Sequence, residues 1–333
     1  MIFKSIEHKK NTLEYKSIMN RVAISLIVFT VLINVLYFLV FTLEYLILDI
    51  NVMDEGSFAF TLISCTLEAL AYALSFILPV VIYFLISRNK PHRKLNFSFN
   101  IPKKSWLYML VALAMTRVAS YLNAILVELF SYPMYDEIEK IPMKPYELVF
   151  NLLLVALIPA VTEELLFRGV IAENLKPYGK GVALIVSAVL FGFMHQNISQ
   201  LLYTSVAGLT LGYIYLKTDS LYGCMIFHFF NNAQSTVSEY IYNNFSDESY
   251  YIFETISMLV IVTSGLVALL LLIFTNKSNR SDDYGYYGKS KMLSVDYAEK
   301  RIDEVDAAKG FFCIANIIFM IISVIAMQIP YYY

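Results

Sequence analysis

A chain made of one long apolar run after another has few folds open to it. The run from Val22 to Leu43 is long enough to cross the ~30 Å hydrocarbon core of a bilayer as a helix. It is too long for a signal-peptide core and has no small-residue cleavage site, so it reads as a retained first span. Further runs follow at about 58–87, 106–130, 146–175, 181–196, 198–217, 221–243, 250–274 and 311–327. Hydrophobic residues make up 58% of the 333 positions and charged residues only 16%, against about 25% charged in a soluble domain. These runs predict an all-α, polytopic membrane protein with about nine transmembrane helices.

The basic residues orient it. Segments 1–21, 88–104, 168–180, 217–220 and 276–309 hold 22 Lys and Arg, while the alternating segments 44–57, 131–145, 197 and 244–249 hold 2. Cytoplasmic loops carry the excess of Lys and Arg, which predicts a cytoplasmic N-terminus and an external C-terminus. A net charge of −2 speaks against a nucleic-acid partner. Cys65, Cys224 and Cys313 lie in apolar runs without metal-type spacing and read as small packing residues. Glu68, Arg117, Asn123 and Glu128 interrupt the second and third spans and read mainly as partners in helix–helix pairing. Val295, Ala298, Ile302 and Val305 have helical apolar spacing and predict an interfacial helix at the cytosolic face.

The run from Tyr146 to Leu175 differs from the others because Glu163, Glu164 and Arg168 lie deep inside it. An ionisable group at the centre of a span costs roughly 2.5–3.5 kcal/mol on insertion scales, so each needs a reason. Glu164 and Arg168 are four residues apart, on one helix face, and can pair. Glu163 projects about 100° away at 3.6 residues per turn. It is expected to be spare, and a spare intramembrane acid marks a functional site by default.

Two later runs carry matching polar groups, His195 in FGFMH and His228 with Asn232 in HFFNN. At about 1.5 Å rise per residue, Glu163, His195, His228 and Asn232 lie roughly 18, 21, 10 and 16 Å from the cytosolic ends of their helices. They are expected to share one layer and to line one cavity. An acid, two imidazoles and an amide form a hydrolytic set. The carboxylate deprotonates water, an imidazole orients the water or shuttles its proton, and N–H donors hold an oxyanion.

In that order on successive spans, EExxxR, FxxxH and HxxxN resemble the CAAX protease and bacteriocin-processing family, also called Abi. The resemblance covers about residues 146–244, flanked by helices in 1–145 and by 245–333. It implies a glutamate-dependent intramembrane endopeptidase acting on a peptide or protein at the cell membrane. On that resemblance Glu163 matches the acid that activates water and His195 the histidine that assists it. His228 and Asn232 match the oxyanion pair, and Glu164 and Arg168 the supporting positions. No cofactor is implied. Two other readings stay open at this point. Two histidines and a carboxylate could bind zinc, although HExxH is absent. The same polar cluster could also serve a non-catalytic immunity, scaffold or transport protein by binding a ligand or neighbouring helices.

Overall fold

The computed structural model describes residues 2–49, 57–90, 92–98, 101–129, 140–282, 302 and 304–326, and among these every regular element is helical. The helices are α1 (Ile2–Asp49), α2 (Phe58–Ser87), α3 (Ser105–Leu129), α4 (Pro145–Tyr178), α5 (Lys180–Met194), α6 (Ile198–Thr218), α7 (Leu221–Asn244), α8 (Asp247–Asp282), α9 (Glu304–Phe311) and α10 (Ile314–Ala326). Five of them, α1 to α4 and α8, are long and apolar enough to cross a membrane, and α9 with α10 makes a sixth if that pair, bent by 55°, counts as one span. This is the pattern of a multi-pass membrane protein. Helix α5 is apolar but shorter. Helices α6 and α7 spend part of their length on polar side chains turned inward, among them Thr204, Thr210, His228 and Thr236.

Local chemistry sets the helix ends. Ser57, Asn197 and Ser220 cap α2, α6 and α7 by accepting from backbone N–H groups of the first turn. Gly179, at φ +130°, lets the chain leave α4 and enter α5 directly. Gln196 (φ 50°) and Asp219 (φ 51°) make the two tight turns that follow.

The core gathers around the second half of α4. Leu166, Phe167, Val170 and Ile171 are fully buried there and pack with Phe76 of α2, Leu190 and Phe191 of α5, Tyr215 of α6 and Phe227 of α7. Outward-facing apolar residues line the long helices, as with Phe38 of α1 and Leu259, Val260 and Phe274 of α8, where lipid replaces water as the solvent. A polar clamp closes one end of α4. Glu173 accepts from Arg93 (3.2 Å), Tyr215 Oη (2.7 Å) and Lys176 (2.6 Å), and Lys176 also reaches Asp219 (2.5 Å). Helices α5 and α6 approach so closely at Gly208 that a Cβ there would stand 2.9 Å from Ala188 Cα.

Of the four polar residues expected to pair between helices, Arg117 and Asn123 do so, while Glu68 accepts from Ser64 of its own helix. Arg117 of α3 forms an ion pair with Glu254 of α8 and bonds to Gln234 of α7 (3.0 Å). Asn123 donates to the Ser199 carbonyl (2.5 Å), and Glu68 shares Ser64 with Glu44. Of the expected interfacial helix, Val295 and Ala298 lie outside the described residues. Ile302 packs against the core and Val305 is exposed.

Candidate active site

Helix α4 is not α-helical throughout. Leu152–Leu157 and Leu165–Ala172 wind with the wider i→i+5 pattern of a π-helix, and the α-helical segment Ile158–Glu164 lies between them. Such π turns recur at functional sites because they re-aim side chains without ending the helix. Pro159 contributes as well. It has no N–H to give the Val155 carbonyl four residues back, and that carbonyl accepts instead from Asn232 Nδ2 of α7 at 3.1 Å. Asn231 donates to Asn232 Oδ1 (3.2 Å) and to Tyr203 Oη (3.1 Å), and it accepts from Thr116 (3.1 Å). The Asn232 amide is thereby held with its nitrogen toward α4, and one of its two N–H bonds remains uncommitted.

Glu164 and Arg168 are both fully buried and joined at 2.9 Å, as their spacing predicted. The same Glu164 Oε1 meets His228 Nδ1 at 2.8 Å. Arg168 reaches across to the Gly208 carbonyl (3.0 Å) and sits 4.7 Å above the Phe191 ring. That ring also contacts both histidines edge-on, His195 at 4.9 Å and His228 at 6.1 Å between ring centroids. Phe191 is therefore a common spacer for the arginine and the two imidazoles.

Glu163 is 3% exposed, and it is not spare as expected. Tyr72 of α2 donates its phenol to Oε1. The partner arrives from 91 residues away, a distance that no helical spacing reveals. The other oxygen, Oε2, is buried with no hydrogen-bond partner and lies 3.9 Å from His228 Nε2. A buried carboxylate oxygen is costly to leave unsatisfied.

His195 ends α5, half-buried. Its Nδ1 lies 2.8 Å from the Phe191 carbonyl, which makes Nδ1 the protonated nitrogen and leaves Nε2 as an acceptor. His195 and Tyr72 line a cavity of about 290 Å³ between α1, α2 and α5, together with Phe29, Ile33, Tyr37 and Met194. Glu163, His228 and Asn232 are not among the residues that line it. Tyr72 touches both, bonding to Glu163 and lining the cavity. Among the described residues no three His, Cys, Asp or Glu side chains are placed to hold one metal ion.

The three motif-bearing helices are thus brought to one cluster, with Tyr72 joining from outside the motifs and Asn231 from an unassigned position within HFFNN. Residues 145–234 match the family model of the type II CAAX prenyl endopeptidases, Rce1-like. This segment is an Rce1-like domain. No curated protein and no solved structure matches the chain. The Rce1-like domain begins with α4 and ends within α7, so it contains Glu163, Glu164, Arg168, His195, His228 and Asn232. Tyr72 lies outside it.

Proposed function

We propose that the protein is a metal-independent intramembrane endopeptidase in which Glu163 activates water against a peptide carbonyl of a membrane-associated substrate. The observation that carries this is the unsatisfied Glu163 Oε2, buried and 3.9 Å from His228 Nε2. A water admitted to Oε2 when substrate opens the site contacts a base at once, within the reach general-base catalysis needs. Abstraction of its proton by Glu163 sends hydroxide to the substrate carbonyl, and His195, through Nε2, accepts and returns protons across the cavity side. The tetrahedral oxyanion is held by N–H donors. Asn232 supplies its uncommitted N–H. His228 supplies Nε2–H when its ring carries both protons, Nδ1–H being held by Glu164. Arg168 fixes Glu164, and Glu164 fixes the histidine.

The Rce1-like domain makes prenylated CAAX peptides the first probe, and the same chemistry would serve maturation or self-immunity on another peptide. We place the reaction within a nine-span chain with its N-terminus in the cytoplasm and with residues 146–244 as the catalytic unit. The deciding experiment incubates the purified chain in proteoliposomes with prenylated and unmodified CAAX peptides and reads the products by mass spectrometry, beside Glu163→Gln. In parallel, peptides retained by Glu163→Gln in native membranes are identified. Cleavage by the parent chain that Glu163→Gln loses supports the reading. Normal turnover by Glu163→Gln rejects the base, and retained peptides without any cleavage favour a binding protein.

A further inference from the structure

We propose that Tyr72 is the positioning residue of this site. Its phenol holds Glu163 Oε1, so that Oε2 is the oxygen presented to water, and its ring forms the wall through which the α1–α2–α5 cavity meets the carboxylate. The inference rests on the reading of Glu163 as the base and adds a residue that lies outside the matched domain.

A glutamate on a helix has three rotatable bonds, and a carboxylate has two equivalent oxygens. Something must choose which oxygen faces the reacting water, because misplacement by about 1 Å costs on the order of 10²-fold in rate. Glu163 receives one donor, Tyr72. That donor is itself held at a set height. The Tyr72 ring packs on Phe76 with centroids 5.0 Å apart, Phe76 is fully buried, and Phe76 packs on Phe29 of α1 at 4.6 Å. The stack from α1 through α2 delivers the phenol to α4. Tyr72 and Phe29 also line the 290 Å³ cavity with His195.

Tyr72→Phe removes one oxygen and keeps the ring in its stack, so the fold serves as its own control. With a prenylated CAAX peptide as probe, kcat should fall about 10- to 100-fold with KM unchanged, and the melting temperature should fall less than in Arg168→Gln, by the loss of one buried hydrogen bond. A second measurement needs no turnover. Glu163 labelling by dicyclohexylcarbodiimide, an apolar carboxyl reagent, is followed by peptide mass spectrometry. It should proceed severalfold faster in Tyr72→Phe, where the phenol no longer occupies Oε1. Unchanged kcat together with unchanged labelling overturns the proposal. A raised KM at constant kcat also overturns it, making Tyr72 a cavity wall only. Faster labelling in a protein that cleaves no peptide supports the positioning role and rejects the protease reading instead.

Discussion

Glu163 and Glu164 are neighbours in the chain, yet their surroundings give them different work. Glu164 is fully buried between Arg168 and His228. Both partners meet Oε1, while Oε2 is buried without a hydrogen-bond partner. Removing one member of a buried pair leaves the other charge uncompensated, at a cost of about 3–5 kcal/mol. Glu164→Gln and Arg168→Gln should therefore lower the melting temperature and the yield in membranes together with activity. Glu163→Gln should behave differently. The amide can still accept from Tyr72 but cannot take a proton, so melting stays near that of the parent while cleavage falls by about 10²–10⁴, the usual contribution of a general base. Melting curves beside a peptide-cleavage assay separate the two classes. Chelation provides a further check on the same residues, since activity should survive dialysis against EDTA. About one zinc per chain, lost together with activity, would make Glu163 a ligand rather than the base.

At the scale of the element, the backbone of α4 departs from a regular helix on both sides of the glutamates. Pro159 leaves the Val155 carbonyl without its usual donor, and Asn232 takes it up from α7. The amide proposed for the oxyanion is thus also the clasp between the two helices. Pro159→Ala restores a backbone N–H that competes for Val155, which frees Asn232. It should lower kcat while leaving stability equal or higher, read by cleavage kinetics beside melting. The contact of α5 with α6 has the opposite sensitivity. A Cβ at Gly208 would stand 2.9 Å from Ala188 Cα and 3.1 Å from Ala188 O, both backbone atoms that cannot swing aside. Gly208→Ala should therefore destabilise by about 1–3 kcal/mol, the usual cost of overpacking. It would also shift the carbonyl that Arg168 uses, so activity should fall with stability. These devices are only partly legible in the sequence. The proline and the glycine are visible, but that Asn232 takes up the freed carbonyl and that Arg168 uses the Gly208 carbonyl follow from pairs 77 and 40 residues apart.

The whole molecule adds a second buried ion pair remote from the glutamates. Arg117 and Glu254 join α3 to α8, each about 12% exposed and supported by Gln234, Ser238 and Ser257. Arg117→Leu leaves Glu254 buried without its cation and should cost about 3–5 kcal/mol, read as a lowered melting temperature. Replacing both partners with apolar residues should recover most of the loss. A reporter fused after Lys94 should read cytoplasmic, whereas one after Lys140 should read external. The opposite pair of results would invert the assigned topology. Fusions after Asp283 and at Tyr333 test the remaining spans, in positions outside the described residues.

Apolar run length and the few charges within those runs determined the solvent, the helical class and the candidate site set of glutamates, arginine, histidines and asparagine. Those signals are local: a run either spans a bilayer or does not, and residues three or four apart share a helix face. Tertiary structure decided what local spacing does not encode. It brought Tyr72 to Glu163, gave Glu164 to His228 as well as to Arg168, and set Asn231 behind Asn232. It also set Tyr72 against both Glu163 and the cavity that His195 lines. The physical reason is that hydrogen bonds between helices depend on how far each helix is rotated and displaced against its neighbours. That placement is set by the packing of the entire core, including the π turns of α4 and the close approach at Gly208, and no single stretch of sequence contains it.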